Sequence, residues 1–231
     1  MNVAIGPATE LVYIGDPMCS WCWGFAPALD RLVNQHEIPL RIVVGGLRPG
    51  PSAQPLEPGL RGELRSHWEH VAEASGQPFD FAALDARPDD WVYDTELPAR
   101  AVVTMRRLNP SQEVAFFFRL QRAFYTDGVD ITDAAVYEDL LPAFSVDADA
   151  FMTYLRSDQS QTDAWTDFRW AHDRKVRGFP TTLLRTGERL RMLAAGYVPY
   201  EQVDTILHAS LERFAPYDPV TASVCAIDGT C

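Results

Sequence analysis

The sequence is poor in positive charge and contains no long apolar run. Its 231 residues include 20 Lys and Arg against 32 Asp and Glu, which gives a formal net charge of −12 at pH 7. A chain this acidic is repelled by phosphate backbones and by anionic lipid, so neither nucleic acid nor a membrane surface is expected as a partner. No stretch approaches the ~18 consecutive apolar residues of a membrane helix, so no membrane-spanning segment is expected.

The chain is also poor in cysteine and has no secretory pattern at its start. Residues 1–7 contain neither a basic segment nor a long apolar segment, which predicts a cytoplasmic protein. The four cysteines are Cys19, Cys22, Cys225 and Cys231. In a reducing compartment, paired cysteines favour redox catalysis or metal binding over structural disulfides.

The apolar pattern predicts a βαβ unit near the beginning of the chain. Residues 10–14 have the pattern of a short buried strand, residues 19–36 repeat apolar side chains at helical spacing, and residues 40–44 form a second strand. Such a unit pairs its two strands in parallel.

The rest of the chain has a helical middle and a second group of strands. Helical patterns fill most of the stretch between a Pro- and Gly-rich loop and residue 175. A hairpin at residues 181–194 and an amphipathic helix at 200–214 follow, so the outer pieces together predict a four-stranded α/β sheet flanked by helices. The predicted divisions are 8–50 with 176–215 for the sheet domain, 51–175 for an all-helical insertion, and 216–231 for a tail.

Cys19 and Cys22 form a C-x-x-C pair where the first strand gives way to the first helix. Unpaired N–H groups and the helix dipole favour negative charge at such a position, and this lowers a cysteine pKa from ~8.5 to roughly 3.5–7.5. We expect Cys19, in the exposed first turn, to be the nucleophile and Cys22 to be the resolving thiol. Trp21 and Trp23 are expected to form an apolar rim for the substrate.

Two other interpretations of the cysteines remain open. Cys19 and Cys22 could be half of a zinc site completed by Cys225 and Cys231, but the five residues between the latter two exceed the usual two to four, so no metal is expected. Cys225 and Cys231 are either a second redox pair or incidental thiols in a disordered tail.

Pro180 precedes the third predicted strand in the run Arg177–Thr182. It either marks a plain strand boundary or follows a cis peptide bond, which costs little before proline. A cis bond would expose the backbone of Phe179 beside the Cys19 sulfur, where an extended substrate could add as a strand.

Several runs resemble the DsbA-like family of thioredoxin-fold oxidoreductases, and most closely its FrnE-like branch of predicted protein-disulfide isomerases. They are Tyr13–Phe25, Gly45–Gly50, Gln121–Tyr125, Gly178–Thr181 and Gly196–Tyr197. The resemblance covers about residues 10–213 and implies a thioredoxin-like fold with an inserted helical subdomain. It also implies a redox-active Cys19/Cys22 pair facing a cis Pro180.

The resemblance implies a thiol–disulfide oxidoreductase, with protein-disulfide isomerase activity as a further expectation. Its partners would be protein or small-molecule thiols and disulfides, with glutathione or a thioredoxin-type reductant and no cofactor. The alternative is a glutathione-dependent transferase or small-molecule isomerase on the same fold. Those relatives usually carry a lone Ser or Cys as the nucleophile, so the intact pair argues against the alternative.

One position departs from the thioredoxin pattern. Thioredoxin-like proteins carry a buried acid six residues before the first cysteine, where it helps to move the proton of the resolving thiol. Here that position is Tyr13, so the role is either vacant or filled by Asp16. An equally plain interpretation of Asp16 is an ordinary turn aspartate before Pro17.

Overall fold

The computed structural model describes residues 9–214. The predicted tail at 216–231, including Cys225 and Cys231, lies outside the described residues. The strands are β1 (Thr9–Gly15), β2 (Leu40–Val44), β3 (Gln54–Pro55), β4 (Val92–Tyr93), β5 (Thr181–Thr186) and β6 (Arg189–Ala195). The helices are α1 (Ser20–His36), α2 (Pro58–Ser75), α3 (Phe81–Ala86), α4 (Glu96–Leu108), α5 (Glu113–Tyr125), α6 (Val136–Leu140), α7 (Ala148–Leu155), α8 (Asp158–Asp173) and α9 (Tyr200–Phe214).

Four strands form one mixed sheet in the order β2-β1-β5-β6. β1 is parallel to β2, and the two other neighbouring pairs are antiparallel. β1 is almost completely buried, as its unbroken apolar run predicts for a central strand covered on both faces. The βαβ–ββα order confirms the predicted thioredoxin-like fold with its helical insertion.

The strand register brings three chain segments to one end of the sheet. Gly15 pairs with Val44 at the end of β2, and Ile14 pairs with Thr181 at the start of β5. The Gly45 N–H also donates to the Gly15 carbonyl at 2.8 Å. The loops that follow β1 and β2 and the loop that precedes β5 therefore meet beside the first turn of α1.

The segment between β2 and β5 contains helices α2 to α8, but it is not all-helical. β3 and β4 pair as a two-stranded antiparallel sheet, so this part of the prediction is wrong. A strand of two residues is too short to carry a period-2 pattern in the sequence, and only the return of the chain beside it makes the ladder. The domain boundaries at 50/51 and 175/176 stay a prediction.

A partly buried ion pair connects this segment to the sheet. The Arg106 guanidinium donates to both Asp167 oxygens, at 3.2 and 2.6 Å. Asp167 Oδ2 also accepts from the Val44 N–H at 3.0 Å. Because Val44 leads into the loop at Gly45, this contact from α8 fixes one of the three segments that meet beside α1.

Within residues 9–214, no helix combines the length and the apolar character needed to cross a membrane.

Candidate active site

Cys19 is the N-cap residue of α1, with extended backbone angles of φ −89° and ψ 116°. The expectation of an exposed Cys19 is wrong, because the residue is only 5% exposed where the loops at this end of the sheet pack around it. Its N–H donates to the Asp16 carbonyl at 3.1 Å, and its carbonyl accepts from the Trp23 N–H at 3.1 Å. The first turn of α1 holds no acidic residue, and no side chain at the N-cap occupies its N–H groups. The partial positive charge at the start of the helix is therefore available to the Cys19 sulfur.

Phe179 reaches this sulfur from the loop that precedes β5. The Cys19 Sγ lies 3.7 Å from the Phe179 carbonyl oxygen, and the Phe179–Pro180 peptide bond is cis. A side chain on Gly45 would begin 2.3 Å from the Phe179 ring, so only glycine lets the ring lie there. The structure thus brings Cys19, Phe179 and Pro180 together.

Cys22 lies one turn into α1 and is fully buried, and both thiols are free. Burial raises the pKa of Cys22 well above its usual value, and the hydrogen bond and charge of Cys19 raise it further. The Tyr13 hydroxyl and the Asp16 backbone N–H lower the pKa of Cys22, but by less than burial raises it. Cys22 therefore retains its proton at neutral pH, while the Cys19 sulfur lies at the helix end that favours an anion.

The Tyr13 ring and the Cys22 sulfur both lie beside Gly15, and Tyr13 is close enough to Cys22 to lower its pKa. A side chain on Gly15 would begin 2.6 Å from Tyr13 Cε1 and 3.2 Å from Cys22 Sγ, so the absence of a side chain there permits this arrangement. The Tyr13 hydroxyl is buried and has no hydrogen-bond partner of good geometry among the described residues. Burial and the neighbouring Cys22 raise the pKa of Tyr13, so its hydroxyl remains a donor.

Two further buried tyrosines, Tyr93 and Tyr125, enclose the thiols from the inserted segment. The Tyr93 hydroxyl donates to the carbonyl of Met18, the residue before Cys19. Tyr125 stacks on Trp23 with ring centroids 6.2 Å apart. Burial raises the pKa of both tyrosines, and the nearby Cys19 contributes in the same direction.

Trp23 does not form a rim. It is only 8% exposed, and its indole N–H donates to the Pro78 carbonyl at 2.9 Å. The expectation of an exposed Trp23 is wrong because the inserted segment covers this face of α1. Trp21 is half-buried, packs on His70 and Tyr197, and does line the cleft above Cys19.

Asp16 is fully buried and holds two loops together. Its Oδ1 accepts from the Met18 N–H at 2.9 Å, and its Oδ2 accepts from the Leu47 N–H at 2.8 Å. Both carboxylate oxygens thus accept from backbone donors. The group of Asp16 that lowers the pKa of Cys22 is its backbone N–H, not its carboxylate. A role in moving the Cys22 proton stays a prediction, whereas the bracing of the Cys19 loop is directly visible.

An open cleft of about 550 Å³ lies over the Cys19 sulfur. Four of the side chains around it are cationic or can become so: Arg48, His67, His172 and Arg177. Among the described residues that line it, none is Asp or Glu. In a chain of net charge −12, such a lining favours an anionic ligand.

The chain matches the family model of the DSBA-like thioredoxin domain over residues 12–208. The protein belongs to this DSBA-like family. The predicted resemblance to the DsbA-like family is therefore confirmed. No protein with a curated description matches the chain in sequence.

Two solved structures are similar to this DSBA-like chain over most of its length. A candidate protein disulfide isomerase from Nitrosomonas europaea is 31% identical, with a TM-score of 0.81, and the match covers 89% of this chain and 98% of that one. The cytosolic disulfide reductase DsbM from Pseudomonas aeruginosa is 26% identical, with a TM-score of 0.74, and the match covers 88% and 99%.

A third structure shares the fold alone. The 2-hydroxychromene-2-carboxylate isomerase is 13% identical, with a TM-score of 0.59, and the match covers 89% of this chain and 95% of that one.

Replacing Asp16 by Asn should change how stability depends on pH. Burial raises the pKa of Asp16 from 3.8 to about 6, although the Leu47 and Met18 N–H groups oppose the shift. Between these two values the carboxyl is protonated in the folded chain and ionised in the unfolded chain. Its contribution to stability therefore falls as the pH rises through this window, by roughly 1.4 kcal/mol for each unit of pKa shift.

Urea unfolding between about pH 4 and pH 7 measures this effect. The wild-type protein should lose stability relative to Asp16→Asn as the pH rises, and the exposed Asp173→Asn variant should follow the wild type. Parallel curves for the wild type and Asp16→Asn would show that Asp16 titrates normally.

Proposed function

We propose that this DSBA-like protein catalyses thiol–disulfide exchange through its Cys19-Ser20-Trp21-Cys22 run, with Cys19 as the nucleophile and Cys22 as the resolving thiol. The observation that carries the proposal is the unequal placement of the two sulfurs. Cys19 caps the N-terminus of α1 and, although it is only 5% exposed, lines an open cleft, whereas Cys22 is fully buried and does not line it. The position of Cys19 favours a nucleophilic anion. The burial of Cys22 keeps its thiol protonated until the mixed disulfide with the substrate has formed on Cys19.

The proposed exchange has two steps. The Cys19 thiolate attacks one sulfur of a substrate disulfide, a new S–S bond forms to Cys19, and the other substrate sulfur leaves as a thiolate that takes up a proton. Cys22 then loses its proton and attacks the Cys19 sulfur. The Cys19–Cys22 disulfide forms, the second substrate thiol leaves, and a thiol reductant later returns the pair to the dithiol.

Tyr13 supports the second step in this proposal. In the closed interior no water compensates a charge on the Cys22 sulfur, and a buried hydroxyl beside it can donate a hydrogen bond to the thiolate. The presence of Tyr13 lowers the pKa of Cys22 against the effect of burial. Tyr13 would thus replace the buried acid of the thioredoxin pattern with a neutral donor.

The cleft favours a small anionic thiol as the reductant. Glutathione carries two carboxylates, and the side chains of Arg48 and Arg177 lie at the cleft where these could bind. The similar DsbM structure has also been solved with glutathione, with a TM-score of 0.70 at 26% identity. Because DsbM is described as cytosolic, we extend the proposal to glutathione-linked disulfide reduction in the cytoplasm.

Protein-disulfide isomerase activity is a second candidate. The carbonyl of Phe179 faces Cys19 at the cleft, where an extended polypeptide could add as a strand. Reduction of insulin and refolding of a scrambled protein would separate this activity from reduction of small disulfides. A transferase or small-molecule isomerase would catalyse neither the reduction of insulin nor the refolding of a scrambled protein.

Replacing Cys19 by Ser should abolish disulfide reduction, because the attacking sulfur is lost. Cys225→Ser and Cys231→Ser serve as matched cysteine controls and should retain activity. The measurement is glutathione-coupled reduction of a mixed-disulfide reporter. Full activity of the Cys19 variant would overturn the assignment of the nucleophile, and loss of activity in either control would give the tail pair a role in turnover.

Replacing Tyr13 by Phe should slow the attack of Cys22 by roughly tenfold or more, because a hydrogen bond to an ionised group contributes about 1.5–3 kcal/mol. Stopped-flow release of the second substrate thiol measures this step, and formation of the mixed disulfide on Cys19 should keep its rate. The control is Tyr137→Phe, another fully buried tyrosine, whose hydroxyl donates to the Ile131 carbonyl. An unchanged second step in Tyr13→Phe would remove Tyr13 from the mechanism.

The double variant Arg48→Gln, Arg177→Gln should raise the KM for glutathione severalfold and leave kcat nearly unchanged, because exposed charge pairs contribute up to ~1 kcal/mol each. Arg174→Gln is the matched control, since Arg174 stacks on Trp170 outside the cleft lining. An equal KM in the double variant and the control would rule out recognition of glutathione by these arginines.

A further inference from the structure

A cluster of metal-ligating side chains lies at the end of α1 that is remote from Cys19. His36 is the last residue of α1, and Asp204 and His208 lie one turn apart on α9. One ligand atom from each of the three side chains lies within 4.8 Å of the others. At ~1.5 Å per residue, α1 separates this cluster from Cys19 by roughly 25 Å, so the thiol chemistry does not use it.

The spacing of the three side chains is close to that of a tetrahedral site. The His36 Nε2 lies 2.6 Å from Asp204 Oδ1, and the His208 Nε2 lies 3.8 Å from Asp204 Oδ2. Zinc bonds of about 2.0–2.2 Å at tetrahedral angles separate neighbouring ligand atoms by roughly 3.3 Å. The first distance is shorter than this value and the second is longer, so both imidazoles would have to move relative to the carboxylate when an ion binds.

The carboxylate at the centre of the cluster is already oriented. The Tyr200 hydroxyl lies 2.9 Å from Asp204 Oδ1 and 2.7 Å from Gln35 Oε1, so its one proton is shared between these two acceptors. It contacts the carboxylate in the manner of the outer hydrogen bonds that orient metal ligands. The charge of Arg31, which lies over the Tyr200 ring, is paired with Glu201 at 3.6 Å.

The exposure of the three side chains leaves an entry for an ion. The side chain of His36 is 10% exposed and that of Asp204 is 22% exposed, whereas His208 is 36% exposed. His208 therefore lies at the open side of the cluster, where it can turn toward an arriving ion. A water molecule can take the fourth position on the same side.

We propose that His36, Asp204 and His208 bind one divalent transition-metal ion, with Zn²⁺ as the ion that the donor set fits first. Two imidazoles and one carboxylate are a common zinc donor set, and the net charge of −12 attracts cations. The ion would join the C-terminal end of α1 to α9. By cross-linking these two helices, the ion would stabilise α1, which carries both thiols at its other end.

Calorimetric titration with Zn²⁺ tests the site in the full chain with Cys19, Cys22, Cys225 and Cys231 all replaced by Ser, which removes thiolate ligands. We expect one ion per chain. In the same background, His208→Gln should weaken binding by a hundredfold or more, because one of three protein ligands is lost. His70→Gln, which removes an exposed histidine outside the cluster, should bind like the parent.

The thermal midpoint gives a second measurement in the same background. Zn²⁺ should raise the Tm of the parent and of His70→Gln, but not that of His208→Gln, because only an ion bound to the folded state stabilises it. No binding by the folded parent, or equal binding by His208→Gln, would overturn the site.

If the cysteine-free chain does not fold, titration of the wild-type chain with Co²⁺ decides the question. Nitrogen and oxygen ligands give visible d–d bands, whereas thiolates add intense sulfur-to-metal charge transfer in the near ultraviolet. We expect a d–d component that disappears in Asp204→Asn. A Co²⁺ spectrum that is the same in the wild type and Asp204→Asn would contradict the proposal.

Discussion

The candidate site depends on an electrostatic difference between two sulfurs that are three residues apart. At the N-cap of α1, backbone N–H groups without helical partners favour a negative charge on Cys19. One turn further into the helix, the protein interior disfavours the same charge on Cys22 and raises its pKa. In the proposed exchange this difference sets the order of the steps, with attack by Cys19 first and attack by Cys22 second.

The fold maintains the difference by bringing distant segments to one end of the sheet. The pairing of β1 with β2 and β5 places the Phe179 carbonyl beside the Cys19 sulfur. Asp16 ties the loop before α1 to the loop after β2 through two backbone N–H groups. The tyrosines of the inserted segment then close the interior around Cys22, so removal of water and positioning of the thiols come from different parts of the chain.

The features that depend on local sequence patterns could be predicted from the sequence. The four strands of the main sheet, α1 and the position of Cys19 follow from apolar periodicity and from a C-x-x-C pair at a strand-to-helix junction. Packing of the inserted segment could not be predicted, so Tyr93 was missed and Trp23 was wrongly assigned to a rim. Tyr93 lies in a two-residue strand with no periodic signal. The cluster of His36 with Asp204 could not be foreseen either, because 168 positions separate them.

Alkylation of each thiol as a function of pH tests the central claim most directly. In the full chain with Cys22 replaced by Ser, iodoacetamide should modify Cys19 rapidly at neutral pH, as followed by mass spectrometry of the peptide. In the Cys19→Ser chain, Cys22 should react only at strongly alkaline pH or after unfolding. Slow modification of Cys19 until alkaline pH, or equal reactivity of the two sulfurs, would contradict the account.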